Sequence, residues 1–191
     1  IDSYIDTNIK GTSNVLNAAK NLDLQKVIHT STSEIYGSAQ YVPIDENHPM
    51  VGQSPYSATK FAAVQLAISF YKSFQIPITI LRPFNTYGTR AVIPTIISQI
   101  NKGGKLIHLG SLHPTRDFNF VHDTCSAFLE VAKSKDTIGH VINAASKFEI
   151  SIGDTAKLIA KIMNHDLEII TDDNKNIHVS GHPSKDELVD M

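Results

Sequence analysis

Apolar positions recur along this chain with two periods, and the two alternate. Residues 6–21 carry Ile9, Thr12, Leu16 and Ala19 at helical spacing, whereas 26–31 (Lys-Val-Ile-His-Thr-Ser) is a short run rich in β-branched residues. A second such run, Ile78 to Leu81, follows Pro77. Between them, 57–74 reads as a helix with Phe61, Val64, Leu66, Ile68, Phe70 and Tyr71 nearly all round its axis. A helix of that kind buries more than one side, so it is expected against a sheet and against another helix, of this chain or of a partner subunit.

Further along, 92–102 reads as a helix ended by Gly103-Gly104, and 106–109 as a strand. Residues 123–133 read as a helix with Asp123 as N-cap, and 140–144 as a strand. Ser151-Ile-Gly-Asp154 resembles a capping box that opens a helix to about 164, before a last short strand at 167–170. Strands alternating with helices of this length imply βαβ units, an α/β fold and a largely parallel sheet. A composition shift near Gly88–Ala91 marks the expected domain boundary.

Composition narrows the function only slightly. A chain of 191 residues holds one large domain or one and a half small ones. The net charge of −2 speaks against a nucleic-acid-binding or membrane surface, and no apolar stretch is long enough to span a bilayer. Ile1-Asp2-Ser3-Tyr4 opens without a leader, so the chain is expected to begin in mid-fold. The single cysteine, Cys125, permits no intramolecular disulfide, fits a reducing, cytoplasmic compartment, and lies on an apolar helix face where a core position is expected. The histidines show no zinc-ligand spacing, so no metal is expected.

The sharpest chemical signal is Tyr56-Ser-Ala-Thr-Lys60, whose tyrosine and lysine share one helix face. An ammonium beside a phenol favours the phenolate, which suits a base working near neutral pH. By itself the pair equally fits a surface lysine lying over an aromatic ring. It is accompanied, however, by Ser31-Thr-Ser-Glu-Ile-Tyr-Gly37 after one strand and Arg82-Pro-Phe-Asn-Thr-Tyr-Gly88 after the next. Polar groups at the carboxyl ends of strands in an α/β sheet face the usual ligand crevice, so the three clusters are expected to converge.

These segments, with Asn8-Ile-Lys-Gly-Thr12 and Arg116-Asp-Phe-Asn-Phe-Val-His-Asp123, resemble the extended short-chain dehydrogenases/reductases that act on nucleotide sugars. The likeness runs to about Gly153. His29-Thr-Ser-Thr-Ser-Glu-Ile-Tyr36, Tyr41-Val-Pro-Ile-Asp45 and Arg90-Ala-Val-Ile-Pro94 are more closely similar to the N-acetylglucosamine nucleotide 4,6-dehydratases of the bacterial legionaminic-acid route. The resemblance implies a Rossmann-type parallel sheet with a smaller C-terminal substrate-binding part. Residues 1–90 would form the C-terminal half of the NAD-binding domain, and 91–191 would mainly bind substrate, with a sheet strand returning near 140–144.

The resemblance also implies roles. Tyr56 takes the proton of the sugar 4-hydroxyl, Lys60 holds the nicotinamide ribose and tunes Tyr56, and Thr32 hydrogen-bonds the 4-hydroxyl. Glu34 is the base at C5. Ser33 stands where the glucose-nucleotide dehydratases have an aspartic acid, which leaves Glu34 to serve both C5 and the departing hydroxyl. Asn8, Ser31 and Pro83 join Tyr56 and Lys60 as NAD contacts. Asn85 and Arg116 resemble the residues that hold the substrate diphosphate, a task suited to the guanidinium fork. For Arg116 the competing reading is an ion pair with Asp117. Val92, Ile93 and Leu109 resemble the surroundings of the nucleotide base. The helices at 7–20 and 57–74 resemble those of the family's dimer bundle, so a homodimer is expected.

Three departures bear on these roles. The Gly-rich phosphate-binding loop that opens such enzymes, and the residue that selects NAD over NADP, are not in these residues. The Tyr87-Gly-Thr-Arg90 stretch is shorter than the pattern, which leaves Thr89 and Arg90 out of register. His182-Pro183 replaces the usual Arg-Pro, removing a cation expected near phosphate. The rival reactions in the same superfamily are 4-epimerisation, which has no task for an acid-base group at C5, and decarboxylation of a nucleotide-linked uronic acid, which shares Thr-Ser-Glu. A rival of another class is a non-catalytic dinucleotide-binding protein, against which Thr32, Tyr56 and Lys60 together argue.

Overall fold

The structure, a computed structural model, describes residues 1–89, 91–103 and 105–171. Arg90, Gly104 and the His182-Pro183 dipeptide lie outside the described residues. The chain forms two compact units, Ile1–Phe84 with His122–Ala145, and Asn85–Val121 with the residues from Ser146 on. The crossing falls at Phe84–Asn85, ahead of the composition shift at Gly88–Ala91, and a helix returns to the first unit together with the strand expected there.

The first unit is a parallel sheet in the order β1 (Val27–Thr30), β2 (Ile78–Pro83), β6 (Val141–Ala144). Its helices are α1 (Asp2–Tyr4), α2 (Gly11–Lys20), α3 (Pro55–Phe74) and α5 (Val121–Lys133). α1 and α2 are joined by a wider π-helical stretch, Ile5–Lys10, closed where Gly11 N–H donates to the Asp6 carbonyl. α3 begins earlier than its apolar pattern suggests. Ser54 accepts from Ser57 N–H, Ser57 Oγ accepts in return from Ser54 N–H, and Pro55 occupies the first turn.

Leu16, Ala19, Val64, Ala67, Ile76, Ile78 and Ile80 form the first unit's core. α3 therefore does bury two sides, one on the sheet and one on α2. α5 starts at Val121, so Asp123 sits in its first turn rather than at the cap. Its C-terminal carbonyls are met by Lys26, whose ammonium donates to Val131 O at 2.6 Å, to Ser134 O and to Thr137 Oγ1 at 2.7 Å. Cys125 is exposed, contrary to the expected core position; the buried residues of α5 are Thr124 and Val131, on another stripe of the helix.

The second unit holds β3 (Asn85–Tyr87) parallel to β5 (Thr115–Phe120), β7 (Glu149–Ser151) antiparallel to β5, and the parallel pair β4 (Leu106–Leu109) and β8 (Glu168–Thr171). Its helices are α4 (Val92–Asn101) and α6 (Ile152–Ile162). Ser151 caps α6 by accepting from Asp154 N–H at 2.9 Å, as its spacing predicts. β3, β5 and β7 do not show in the periodicity. They are too short, and β5 reads as alternating polar and aromatic residues. The core joins Val92, Ile96 and Ile100 of α4, Ile107 and Leu109 of β4, and Ile152, Ala156 and Ala160 of α6. Among the described residues no helix is long and apolar enough to cross a membrane.

Candidate active site

β1 ends at Thr30, and the backbone then stays extended through Thr32 before tightening into a 3-10 turn, Ser33–Tyr36. Thr32 caps that turn, its Oγ1 accepting from Glu34 N–H at 3.3 Å. The other end closes at Gly37, whose φ of 66° belongs to glycine and whose absent Cβ would collide with the Val51 carbonyl. Ile35 and Tyr36 are fully buried. They anchor the turn and leave Thr32, Ser33 and Glu34 half-buried at its rim.

The start of α3 brings Tyr56 to the same place. Its phenol is hydrogen-bonded to the Thr32 side chain, and the Glu34 carboxylate is close enough to act on it electrostatically. Tyr56 is held above the ordinary tyrosine value, first by burial and then by Glu34, with the Thr32 hydrogen bond opposing. This corrects the sequence expectation of a phenol tuned downward by its lysine. Lys60 instead donates to the Thr30 carbonyl at 2.7 Å, at the open end of β1, and burial holds its own value below the ordinary lysine range. Beneath it, burial and the Lys60 charge lower His29 to about 4, so this histidine is neutral at neutral pH.

Other expected contacts fall nearby. Asn8 donates to Thr59 Oγ1 at 2.9 Å, and Thr59 donates to the Tyr56 carbonyl at 2.8 Å, so the π-helical stretch is tied to the turn of α3 that carries the phenol. π-Helical turns recur at functional sites because they displace a side chain from the regular spiral. Ser31 is buried, and its hydroxyl has no partner among the described residues. Pro83 closes β2 beside Ala144. Tyr4, not singled out by sequence, lies edge-on to Tyr56 with ring centroids 5.8 Å apart. Arg82 is 1% exposed and meets the Ser31–Gly37 cluster from the interior, at the buried Tyr36 hydroxyl, rather than at an open crevice.

Asn85, Val92, Ile93, Leu109 and Arg116 belong to the second unit. Asn85 opens β3 opposite Phe118. Arg116 Nη1 donates to the Thr115 carbonyl at 2.7 Å, whereas Asp117 accepts from Ser146 N–H, Ser146 Oγ and Lys147 N–H. The ion pair weighed for Arg116 is therefore not what Asp117 makes. Val92 and Leu109 have their side chains in the apolar core, which leaves only their backbone for any ligand, while Ile93 is partly buried at its margin. Among the described residues no group of three His, Cys, Asp or Glu side chains gathers as a cation site.

A phenol, a threonine hydroxyl and a carboxylate meet at one strand end, groups able to exchange protons, and comparison with known proteins shows the family in which they occur. A dTDP-D-glucose 4,6-dehydratase of Dictyostelium discoideum is 36% identical over 174 residues, covering 83% of this chain and 40% of that protein. The crystal structure of dTDP-glucose 4,6-dehydratase from Bacillus anthracis in complex with NAD superposes with a TM-score of 0.76 at 31% identity, covering 87% of this chain and 56% of that one. A UDP-glucuronic acid 4-epimerase from Bacillus cereus, in complex with UDP-glucuronic acid and NAD, gives 0.77 at 30% identity, with 94% and 57% covered. The chain thus spans roughly half the length of the relatives it matches. The family model for GDP-mannose 4,6 dehydratase matches residues 2–190, and the chain belongs to that family of nucleotide-sugar dehydratases and epimerases.

Proposed function

We propose that the protein is an NAD-dependent 4,6-dehydratase acting on UDP- or GDP-N-acetylglucosamine and yielding the 4-keto-6-deoxy sugar. The observation that carries this reading is the meeting of the Thr32 hydroxyl and the Glu34 carboxylate at the Tyr56 phenol. An epimerase uses the phenol and the hydroxyl but has no task for the carboxylate.

The residues at the end of β1 fit a bound dinucleotide. The Ser31 hydroxyl is buried without a partner among the described residues, and a desolvated lysine stands beside it on α3. NAD, as carried by the two Bacillus relatives, supplies when bound a hydride acceptor for C4 and a donor for C6.

The chain's own residues supply positions and proton transfers. Thr32 holds the sugar 4-hydroxyl, and Tyr56 takes its proton after losing its own. Because burial and Glu34 hold the phenol above the ordinary tyrosine value, that loss needs a cation beside it, the part assigned to Lys60 one helical turn on. The 4-keto group acidifies the C5 proton. Glu34 removes that proton and passes it to the C6 hydroxyl, which leaves as water. As C6 regains hydride, C5 takes back a proton through Glu34, matched by the one Tyr56 received from the 4-hydroxyl and releases. Ser33 offers no acid comparable to a carboxyl, so Glu34 serves both sites. In the second unit, Asn85 and Arg116 hold the diphosphate, and Ile93 with the backbone at Val92 and Leu109 lies along the base. Asn8, Pro83 and Lys60 join Ser31 as cofactor contacts. We place the protein in the cytoplasm as a homodimer associated through α2 and α3.

The test incubates the full-length protein with NAD and UDP- or GDP-N-acetylglucosamine and follows product mass. Loss of one water without net reduction of NAD is expected. An isomeric product indicates epimerisation, and loss of carbon dioxide from a nucleotide-linked uronic acid indicates decarboxylation. No change with any nucleotide sugar overturns the enzymatic reading. For Glu34, the sharper test is Glu34→Gln on a pre-oxidised 4-keto substrate, where retention of full elimination removes its assigned role.

A further inference from the structure

Arg82 is the largest fully buried side chain of the described residues. It takes part in none of the ion pairs found among them. Its Nη1 donates to Tyr36 OH at 2.6 Å, its Nη2 approaches the Met50 sulfur at 3.3 Å, and its carbon centre lies 5.0 Å from the Tyr36 ring. Its Nε has no partner among the described residues. Tyr36 passes the contact on, donating its hydroxyl proton to Asn143 Oδ1 at 2.8 Å. Asn143 is held in turn, its backbone N–H donating to Glu46 at 2.8 Å and its amide nitrogen reaching the Ile44 carbonyl at 3.5 Å.

A guanidinium without a carboxylate is a costly thing to bury, and an apolar residue in its place is often neutral or stabilising. Stability alone therefore does not explain it. What the arrangement does accomplish is geometric. Arg82 lies on β2 and Asn143 on β6, neighbouring strands of one rigid sheet. The hydroxyl they share belongs to the last residue of the turn that begins at Thr32 and Ser33 and contains Glu34. One oxygen, accepting from one strand and donating to the next, locks that turn in position and rotation. The Tyr36 ring also packs edge-on against His48, with centroids 5.4 Å apart, so packing and the shared hydroxyl act on the same residue.

We propose that Arg82, Tyr36 and Asn143 form a buried positioning device that sets Thr32 and Glu34 against the Tyr56 phenol. None of the three is a catalytic residue; each acts through the turn. The effect on turnover rests on the dehydratase reading given above, whereas the effect on geometry does not.

The experiment uses Tyr36→Phe, which deletes only the shared oxygen, and Asn143→Leu, which deletes its acceptor, in the full-length protein. Two quantities are read. The first is the titration of Tyr56 by carbon-13 tyrosine NMR, assigned with Tyr56→Phe and benchmarked with Glu34→Gln. Both variants are expected to move it downward, in the direction of the benchmark, as the carboxylate leaves its place. The second is steady-state kinetics, where kcat is expected to fall roughly tenfold to a hundredfold with KM for the nucleotide sugar unchanged, the size of effect that a displacement of about an ångström produces. An unmoved Tyr56 titration in a folded variant overturns the proposal, as does a failure of both variants to fold, which makes the network a purely stabilising one. A wild-type protein that dehydrates no nucleotide sugar sinks the dehydratase reading instead, and the titration still decides the positioning role.

Discussion

In the first unit Ser31, His48, Ser57, Thr59, Thr79, Arg82 and Thr124 are buried, whereas the buried polar side chains described in the second unit are Asn119 and Thr155. The titratable groups divide the same way. His29, Tyr41, Tyr56 and Lys60 are displaced from their ordinary values in the first unit, against Asp154 in the second. Asp154 is explained by its contacts with Ser151 and Lys157 at the head of α6. The first unit therefore holds groups whose protons are set by burial, and the second is built as an apolar frame. Under the proposed function, proton transfer falls to the one and ligand retention to the other.

The contrast is broken most forcefully at Tyr56. Tyr56→Phe removes the phenol oxygen and is expected to lower kcat by roughly a thousandfold with little change in KM, measured by product mass on the nucleotide sugar. A variant that keeps its turnover removes the first unit's claim to the chemistry.

Next comes acid stability. His29 falls from an ordinary 6.5 to about 4 on folding, so the unfolded chain binds the extra proton between those values. This stability is complete above pH 6.5 and is lost as pH falls toward 4, amounting to about 3 kcal/mol. Urea midpoints measured across that window should drop for the wild type and flatten for His29→Leu. An equal slope in both would assign the acid sensitivity elsewhere.

A smaller effect is expected from the second unit. Arg116→Ala should raise KM for the nucleotide sugar by roughly tenfold or more while leaving kcat nearly unchanged, the value of a charge-assisted hydrogen bond to phosphate. A fall in kcat at constant KM would place Arg116 with the proton-transfer groups and blur the division. The smallest effect is Ser151→Ala, which removes the α6 cap and should cost about 1 kcal/mol in denaturant unfolding without touching KM.

Much of this was readable residue by residue. The β-branched runs at Val27–Thr30 and Ile78–Pro83 became paired parallel strands, and Ser151 capped the helix its spacing announced. Tyr56, Thr32 and Glu34 were legible as a set because each sits at a strand end or a helix start, where local chain geometry already points polar groups one way. β3, β5 and β7 were not, since three to six residues carry too little periodicity and their pairing partners are distant in sequence. Asp123 and Cys125 misled for different reasons. The helix starts two residues ahead of Asp123, at Val121, and for Cys125 a helical pattern gives spacing round an axis but not which stripe is covered.

Sequence by itself determined the alternation of strands and helices, the family and the candidate site residues, because these depend on residue type and local spacing. Only the tertiary structure decided their electrostatics and their support. The direction in which Tyr56 titrates turns on how deeply it is buried and on a carboxylate brought beside it by a separate segment. The inward turn of Arg82 likewise depends on Tyr36 and Asn143, far from it along the chain and adjacent only in the folded sheet. Desolvation and through-space charge are properties of neighbours, and neighbours are what folding supplies.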